Sequence, residues 1–481
     1  FSILTIRLVC VEQKRDSPLV QPSRHDTLRT TQSMLPLLRP IILRVLCVAA
    51  AAMVASASAA EQDGRVVLKY WEKWTGFESD AMEEVVNDFN ASQDRIVVEY
   101  NSVSQIDRRL MLATAGGVPP DIAGIYSGNI PVYAENNALT PLDRFAREAG
   151  ISEEDYIPVF WKLCRYRDHL WALPSTPGCN ALIYNKKMFR EAGLDPDKPP
   201  RSIEELETFN EKLTRRSPSG RLETIGHLPE EPGWWNGLWG YWYAGSLWDG
   251  VSKITANSPE NLAAYRWVQS YPERFGPDAL LAMRDGFGNF ASPQNPFFNG
   301  RVAMVLQGPW IYNFIKNYAP PDFEWGVAPF PSDDPEKLQN VTIAECDVLV
   351  IPAGAKHPKE AFEFLHYVNS PGPMEKLCLG QRKFSPLREC SDEFFEKHPN
   401  PFIRTFLELA KSPNARTTPS LTTWTELNGD MKNAVTRIWT GQATAEEALD
   451  DVQKRQQKIL DRRLERWRRS GENLTRIWNE K

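Results

Sequence analysis

From residue 66 onward, short apolar runs alternate with stretches in which apolar residues recur every three or four positions. Val66–Tyr70 (VVLKY), Ile96–Tyr100 (IVVEY) and Asp121–Ile125 have the length and β-branched content of strands. Between the first two, Met82, Val85, Val86 and Phe89 fall at i, i+3, i+4 and i+7, one face of a helix. Before the third, Leu110–Ala115 ends a helix at Gly116-Gly117. This alternation predicts a parallel sheet with crossover helices.

A second run follows. Tyr166–Leu173 (YRDHLWAL) predicts a small hairpin around Asp168, and Leu182–Tyr184 leads into a helix ending at Gly193. Ser202 and Glu205 have capping-box spacing for a helix that turns Ile203, Leu206 and Leu213 inward. Residues 229–250 are rich in Gly and Trp. Val302–Leu306 predicts a strand stopped by Gly308-Pro309; Trp325–Ala328 and Val348–Ile351 predict two more. His357–Asn369 predicts a helix with Pro358 in its first turn. From about Asn400 the pattern is mainly helical. Thr444 and Glu447 form a second capping box, with Leu449, Val452 and Ile459 inward.

Residues 34–60 (MLPLLRPIILRVLCVAAAAMVASASAA) obey another rule. Arg39 and Arg44 precede an apolar run from Val45 to about Ala55, and Ala55, Ala57 and Ala59 follow at alternate positions. This is the pattern of a secretory signal peptide, cleaved by expectation after Ala60. The run is too short for a bilayer, which takes roughly 20 residues. Leu46 precedes Cys47 where a lipoprotein signal needs a small residue, so no lipid anchor is expected. Residues 1–33 are aperiodic and lack Met, and Met34 opens the signal; a mis-assigned start or disordered tail is expected there. The mature protein should be soluble, in the periplasm or outside the cell.

The chain has 481 residues, long enough for two or three domains, and a net charge of −6. Residues 1–60 carry seven Lys/Arg against three Asp/Glu, which leaves the body with 49 against 59, a net −10. An acidic body argues against a nucleic-acid surface, and the basic run Arg462–Arg469 is expected to be a solvated helix face. Of seven cysteines, Cys164, Cys179, Cys346, Cys378 and Cys390 follow the signal. An exported protein can form disulfides, and Cys378–Cys390, closing a short loop, is the first pairing expected. The six histidines are scattered, without zinc spacing, so no metal or cofactor is expected. Sixteen tryptophans are the main chemical signal.

Five blocks occur in a familiar order: KYWEKWTG (69–76), AGGVPPDI (115–122), LWALPSTPGCNALIYNKKMFREAGLD (170–195), FFNGRVAMVLQGPW (297–310) and CDVLVIPAGAKHPKEAFEFLHYV (346–368). A weaker sixth is GQATAEEAL (441–449). In these the chain resembles the family-1 extracellular solute-binding proteins, the maltose-binding-protein-like substrate receptors of sugar-importing ABC transporters. The resemblance implies a two-lobed α/β periplasmic-binding-protein fold with a helical C-terminal part and a ligand cleft between the lobes. It implies chain crossings near Thr176–Cys179, Val327–Pro329 and Ser385–Pro401. The first lobe is then expected at 66–176 plus 330–385, and the second at 180–327 plus 390–470. Expected partners are a small sugar and two transmembrane permease subunits, with the receptor a monomer.

Such a receptor needs ring faces for the apolar side of a sugar and polar groups for its hydroxyls. Clefts in α/β sheets lie at the carboxyl ends of strands. After the first strand this selects Trp74 and Thr75; after the second, Ser104; after the third, Tyr126 and Asn129. In the Trp-rich loop, Trp235 and Trp239 are the expected platforms. In the family's GPW motif a Trp stacks on the sugar, which implies Trp310 here. Glu345 and Asp347 flank Cys346 where the family usually has glycines, and Arg382 and Trp424 occupy loops resembling cleft-facing ones. A non-sugar ligand (polyamine, phosphate ester or peptide) and an exported carbohydrate-active enzyme are the competing readings.

Overall fold

The computed structural model describes residues 64–231, 233–288 and 291–480; the expectations for 1–60 lie outside the described residues. Two β-sheets, each with its own helices, make two lobes. In the first sheet Val66–Glu72 runs parallel to Ile96–Ser102 on one side and to Ile122–Tyr126 on the other. Thr342–Val350 lies antiparallel beside Ile122–Tyr126, with Asp347 opposite Tyr126. It also pairs antiparallel with Leu173–Cys179, across a register shift between Cys346 and Val348. Helix Phe77–Ser92 covers the sheet with Met82, Val85, Val86 and Phe89, the face that the periodicity predicts. Helix Ile106–Ala115 stops at Gly116 and Gly117; the latter has φ 71°, a left-handed conformation that glycine adopts without cost.

In the second sheet Val302–Gln307, fully buried, lies parallel to Leu222–His227 and antiparallel to Ala181–Asn185. Trp325–Ala328 extends the sheet beyond Ala181–Asn185. The chain passes from the first sheet to the second through a single residue, Asn180, between Cys179 and Ala181. Asn180 is buried, donates its N–H to Ile343 O (3.2 Å) and accepts from Thr342 Oγ1 (2.7 Å). It returns between Ala328 and Thr342.

The hairpin forms from Arg165–Tyr166 and His169–Leu170, with Arg167 and Asp168 both left-handed in the turn (φ 48° and 65°). Four expectations change. The strand sought at 348–351 is the nine-residue Thr342–Val350, because Glu345 and Asp347 hide its start from a search for apolar runs. In the last helix Leu460, not Ile459, is buried. Ala415–Arg416, expected with the second lobe, pairs with Thr342–Ile343 of the first sheet, and helices Asp392–Lys397 and Ile403–Lys411 before it also pack on first-lobe elements, so the crossing expected at Ser385–Pro401 lies instead between Arg416 and Trp424. Cys378 and Cys390 are free thiols, as are the other three cysteines of the described residues. Cys378 points into the core against Met374 Sδ (3.8 Å) instead of toward a partner sulfur.

Candidate functional site

At the carboxyl end of Val66–Glu72 three successive residues build a charged centre. Glu72 is fully buried and accepts from Tyr70 OH (2.7 Å), Lys73 N (2.8 Å) and Lys73 Nζ (3.1 Å). Gly124, on the neighbouring strand, leaves the space this carboxylate fills; a Cβ there would overlap it. Lys73 Nζ also reaches Asp347 Oδ1 (3.0 Å) and lies over the rings of Trp74 (5.0 Å) and Tyr126 (4.6 Å). Asp347 Oδ2 accepts from Trp74 Nε1 (3.1 Å) and stands 3.6 Å from Lys383 Nζ. Lys383 pairs in turn with Glu78 Oε1 (3.1 Å). Burial raises the cost of ionising Asp347, but Lys73 and Lys383 outweigh it and hold the carboxyl below its ordinary range. Glu345, two residues away on the same strand face, goes the other way. Burial first, and the Asp347 charge second, push it up to about 7 against the pull of the two lysines.

The second lobe faces this centre with Trp310, at the end of Val302–Gln307 and the start of helix Ile311–Tyr318. Its indole N–H donates to Gln307 Oε1 (3.1 Å). Its ring lies against Gly178, where a Cβ would stand 2.9 Å from Cζ3 and 3.4 Å from Glu345 Oε1. Trp310 and Glu345 thus border the same backbone point. One turn into the helix, Asn313 Oδ1 accepts from Arg382 Nη1 (2.7 Å), a direct bond between lobes. Arg382 is itself left-handed (φ 58°), capping helix Pro371–Gln381 where glycine is the usual residue, and its guanidinium lies over Phe77 (5.0 Å). Trp424, first residue of helix Trp424–Trp439, stands beside Gly128, whose Cβ would lie 3.9 Å from its Cδ1.

The structure therefore groups Trp74, Tyr126, Glu345, Asp347 and Trp310 in one region, with Arg382 and Trp424 at contacts between the lobes. Tyr126 is 53% exposed and presents a ring to solvent. Trp74 is only 5% exposed and works as a donor to Asp347, not as an open ring. Thr75 and Ser104 are exposed at strand ends. Asn129 spends its amide on Asp107 Oδ1 (2.8 Å). Trp235 and Trp239 offer no ring face. Both are fully buried, because their segment coils into a 3₁₀ helix, Asn236–Tyr243, under helix Pro259–Phe275. There Trp239 packs on Trp242 (5.5 Å), Trp267 (5.2 Å) and Phe330 (5.5 Å) and donates to Pro229 O (3.1 Å). Sequence reasoning missed Glu72, Lys73, Glu78 and Lys383. A glycine inside the strand IAGIY was the available signal for Glu72.

Among the described residues no helix is long and apolar enough to cross a membrane, and no group of three or more His, Cys, Asp or Glu is placed to hold a metal ion. Residues 76–375 match the family described as bacterial extracellular solute-binding proteins. The sn-glycerol-3-phosphate-binding periplasmic protein of Pectobacterium atrosepticum is 24% identical over 449 residues, 86% of this chain and 95% of that protein. Among solved structures, the sugar-binding protein MalE of Xanthomonas citri superposes with a TM-score of 0.70 at 21% identity, over 84% of this chain and 98% of that one. CpMnBP1 with mannotriose bound gives 0.69 at 24%, over 81% and 99%.

Proposed function

The chain belongs to the bacterial extracellular solute-binding proteins, and from that membership we propose that it is an exported receptor that captures a neutral sugar or sugar derivative between its lobes and hands it to the permease subunits of an ABC importer. We further propose the lobe division read from the sequence, amended by placing 390–416 with the first lobe. The observation that carries the ligand class is the charge balance of the site. Lys73 and Lys383 stand against Asp347, Glu78 and Glu72, whose carboxyl burial holds above its ordinary range, with Glu345 partly protonated near neutrality and Arg382 bonded to Asn313. The lysines are already matched by carboxylates, so no surplus of positive charge awaits a phosphate dianion. An exposed Tyr126 ring and a half-buried Trp310 supply apolar faces, and Glu345 can donate or accept toward a hydroxyl. No catalytic role is assigned to these carboxylates.

A phosphate ester is the second reading, favoured by what the Pectobacterium relative's name says that protein binds. Thermal unfolding against maltose, mannobiose, mannotriose and sn-glycerol-3-phosphate separates the two. A ligand at 100 times its dissociation constant adds about 2.7 kcal/mol of stability. A neutral saccharide should produce this shift and glycerol phosphate none; the reverse result would replace the sugar with an anion.

A further inference from the structure

The last helix, Ala445–Glu480, is 36 residues long, and its two halves stand on different lobes. Its first half packs through Ala448, Leu449, Val452 and Leu460 against helices Trp424–Trp439 and Pro259–Phe275 of the second lobe. Asp450 Oδ1 accepts from Asn257 Nδ2 (2.6 Å), and Gln457 Nε2 donates to Ser252 O (2.9 Å). Its far end rests on the hairpin that precedes Leu173–Cys179 of the first sheet. There Trp478 is buried edge-on against Trp171 (4.9 Å) and His169 (5.6 Å). Trp467 stacks on Trp478 (5.7 Å) and carries the Arg167 guanidinium over its face at 3.5 Å. Arg167 is tied to Glu135 of the first lobe (3.2 Å), and His169 to Asp143 (3.2 Å). Between these footholds Leu460, Arg463 and Leu464 line a cavity of about 920 Å³ whose other walls include Trp161, Tyr166 and Trp248. The helix spans a gap and is held at both sides of it.

Gly471 shows that the far foothold is built for this contact. Glycine is a poor residue in a helix interior, and alanine there would ordinarily strengthen the helix. Here a Cβ would stand 2.5 Å from Trp467 Cε2. Glycine lets the indole fold flat over the next turn and meet Arg167.

We propose that the C-terminal helix is a strap that holds the lobes at their contact distance, and that parting them requires Trp467 and Trp478 to leave the hairpin. The helix is stiff, and it is anchored in the second lobe by polar and apolar contacts over several turns. Rotation about Asn180 and the two later crossings, between Ala328 and Thr342 and between Arg416 and Trp424, must therefore load the aromatic foothold. By favouring the arrangement in which the lobes touch, the strap lowers what a ligand must spend to bring them together.

The test needs no ligand, so its outcome is independent of the sugar assignment. Small-angle scattering and hydrogen exchange compare the full chain with Trp467→Ala/Trp478→Ala and with Gly471→Ala. For the double variant we expect lost protection in residues 464–480 and in the 165–171 hairpin, together with a larger radius of gyration. Protection lost without expansion makes the foothold local packing and overturns the strap; protection retained overturns it equally. Gly471→Ala decides if the double variant does not fold. A strap predicts less protection at 464–480 and an expanded molecule, whereas a freely solvated helix end predicts more protection and no expansion.

Discussion

At Glu345 the protein holds a carboxyl whose folded pKa, about 7, lies above the ordinary 4.5, with burial as the leading cause. The folded chain therefore binds this proton more tightly than the unfolded chain. Its stabilising contribution is complete below about pH 4.5 and is lost as pH rises through about 7. The upper bound is about 3 kcal/mol, from the difference between about 7 and 4.5. Glu345→Gln should melt near the wild type at pH 5 and above it at pH 8; parallel melting profiles would place the carboxyl elsewhere. Trp310 is half-buried and borders Glu345 at Gly178. As a ring platform, its change to Ala should cost about 2 kcal/mol or more of binding and clearly less folding stability than the roughly 3–5 kcal/mol of a core Trp. A destabilised variant that binds the sugar normally would reverse that assignment. Position along the chain selected Trp310 and Tyr126, which follow or end a strand, and the departure from the family's glycines selected Asp347; the fold sets Asp347 opposite Tyr126 in the sheet. It could not tell Trp235 and Trp239 from open rings, because their burial depends on Pro259–Phe275, which arrives later in the sequence. Lys73 and Lys383 look like surface lysines until the fold brings Glu72, Glu78 and Asp347 around them.

Elements were legible where a local period or cap specifies them. The Thr444–Glu447 box is present in both directions, with Glu447 N donating to Thr444 Oγ1 (3.2 Å) and Thr444 N to Glu447 Oε2 (3.0 Å). At Ser202 only half of it forms: Glu205 N donates to Ser202 Oγ (3.1 Å), but the Glu205 carboxylate accepts from Arg201 N (2.7 Å). Tertiary demands inside an otherwise legible element were harder to see, as in the strand Ile122–Tyr126. Its Gly124 weakens the strand's own propensity and exists to admit the Glu72 carboxylate. Gly124→Ala should cost about 2–4 kcal/mol, because the new methyl group either displaces a buried charge from its partners or overpacks the sheet. Gly128→Ala is the matched control, since its Cβ would meet nothing nearer than 3.8 Å. Comparable melting temperatures for the two variants would remove the space-making role of Gly124.

At the scale of the whole molecule the sequence carried the alternation of strands and helices and the order of motifs, and hence two lobes. It could not carry contacts between residues far apart along the chain, such as Arg382 with Asn313. That bond joins helix Pro371–Gln381 on the first lobe to Ile311–Tyr318 on the second. It exists only while the lobes touch. Arg382 accepts a left-handed backbone at its position, and its guanidinium is occupied by Asn313 and the Phe77 ring. A latch of this kind stabilises the arrangement in which the lobes touch without touching the ligand, so losing it should act through faster release. Arg382→Ala and Asn313→Ala should each weaken saccharide binding, and the double variant should be scarcely worse than either single change. The coupling energy expected of a hydrogen bond with one charged partner is about 1.5–3 kcal/mol. Titration of the four proteins with the saccharide found by thermal screening measures it. Fully additive losses would mean that Arg382 and Asn313 act separately, with Arg382 reaching the ligand itself.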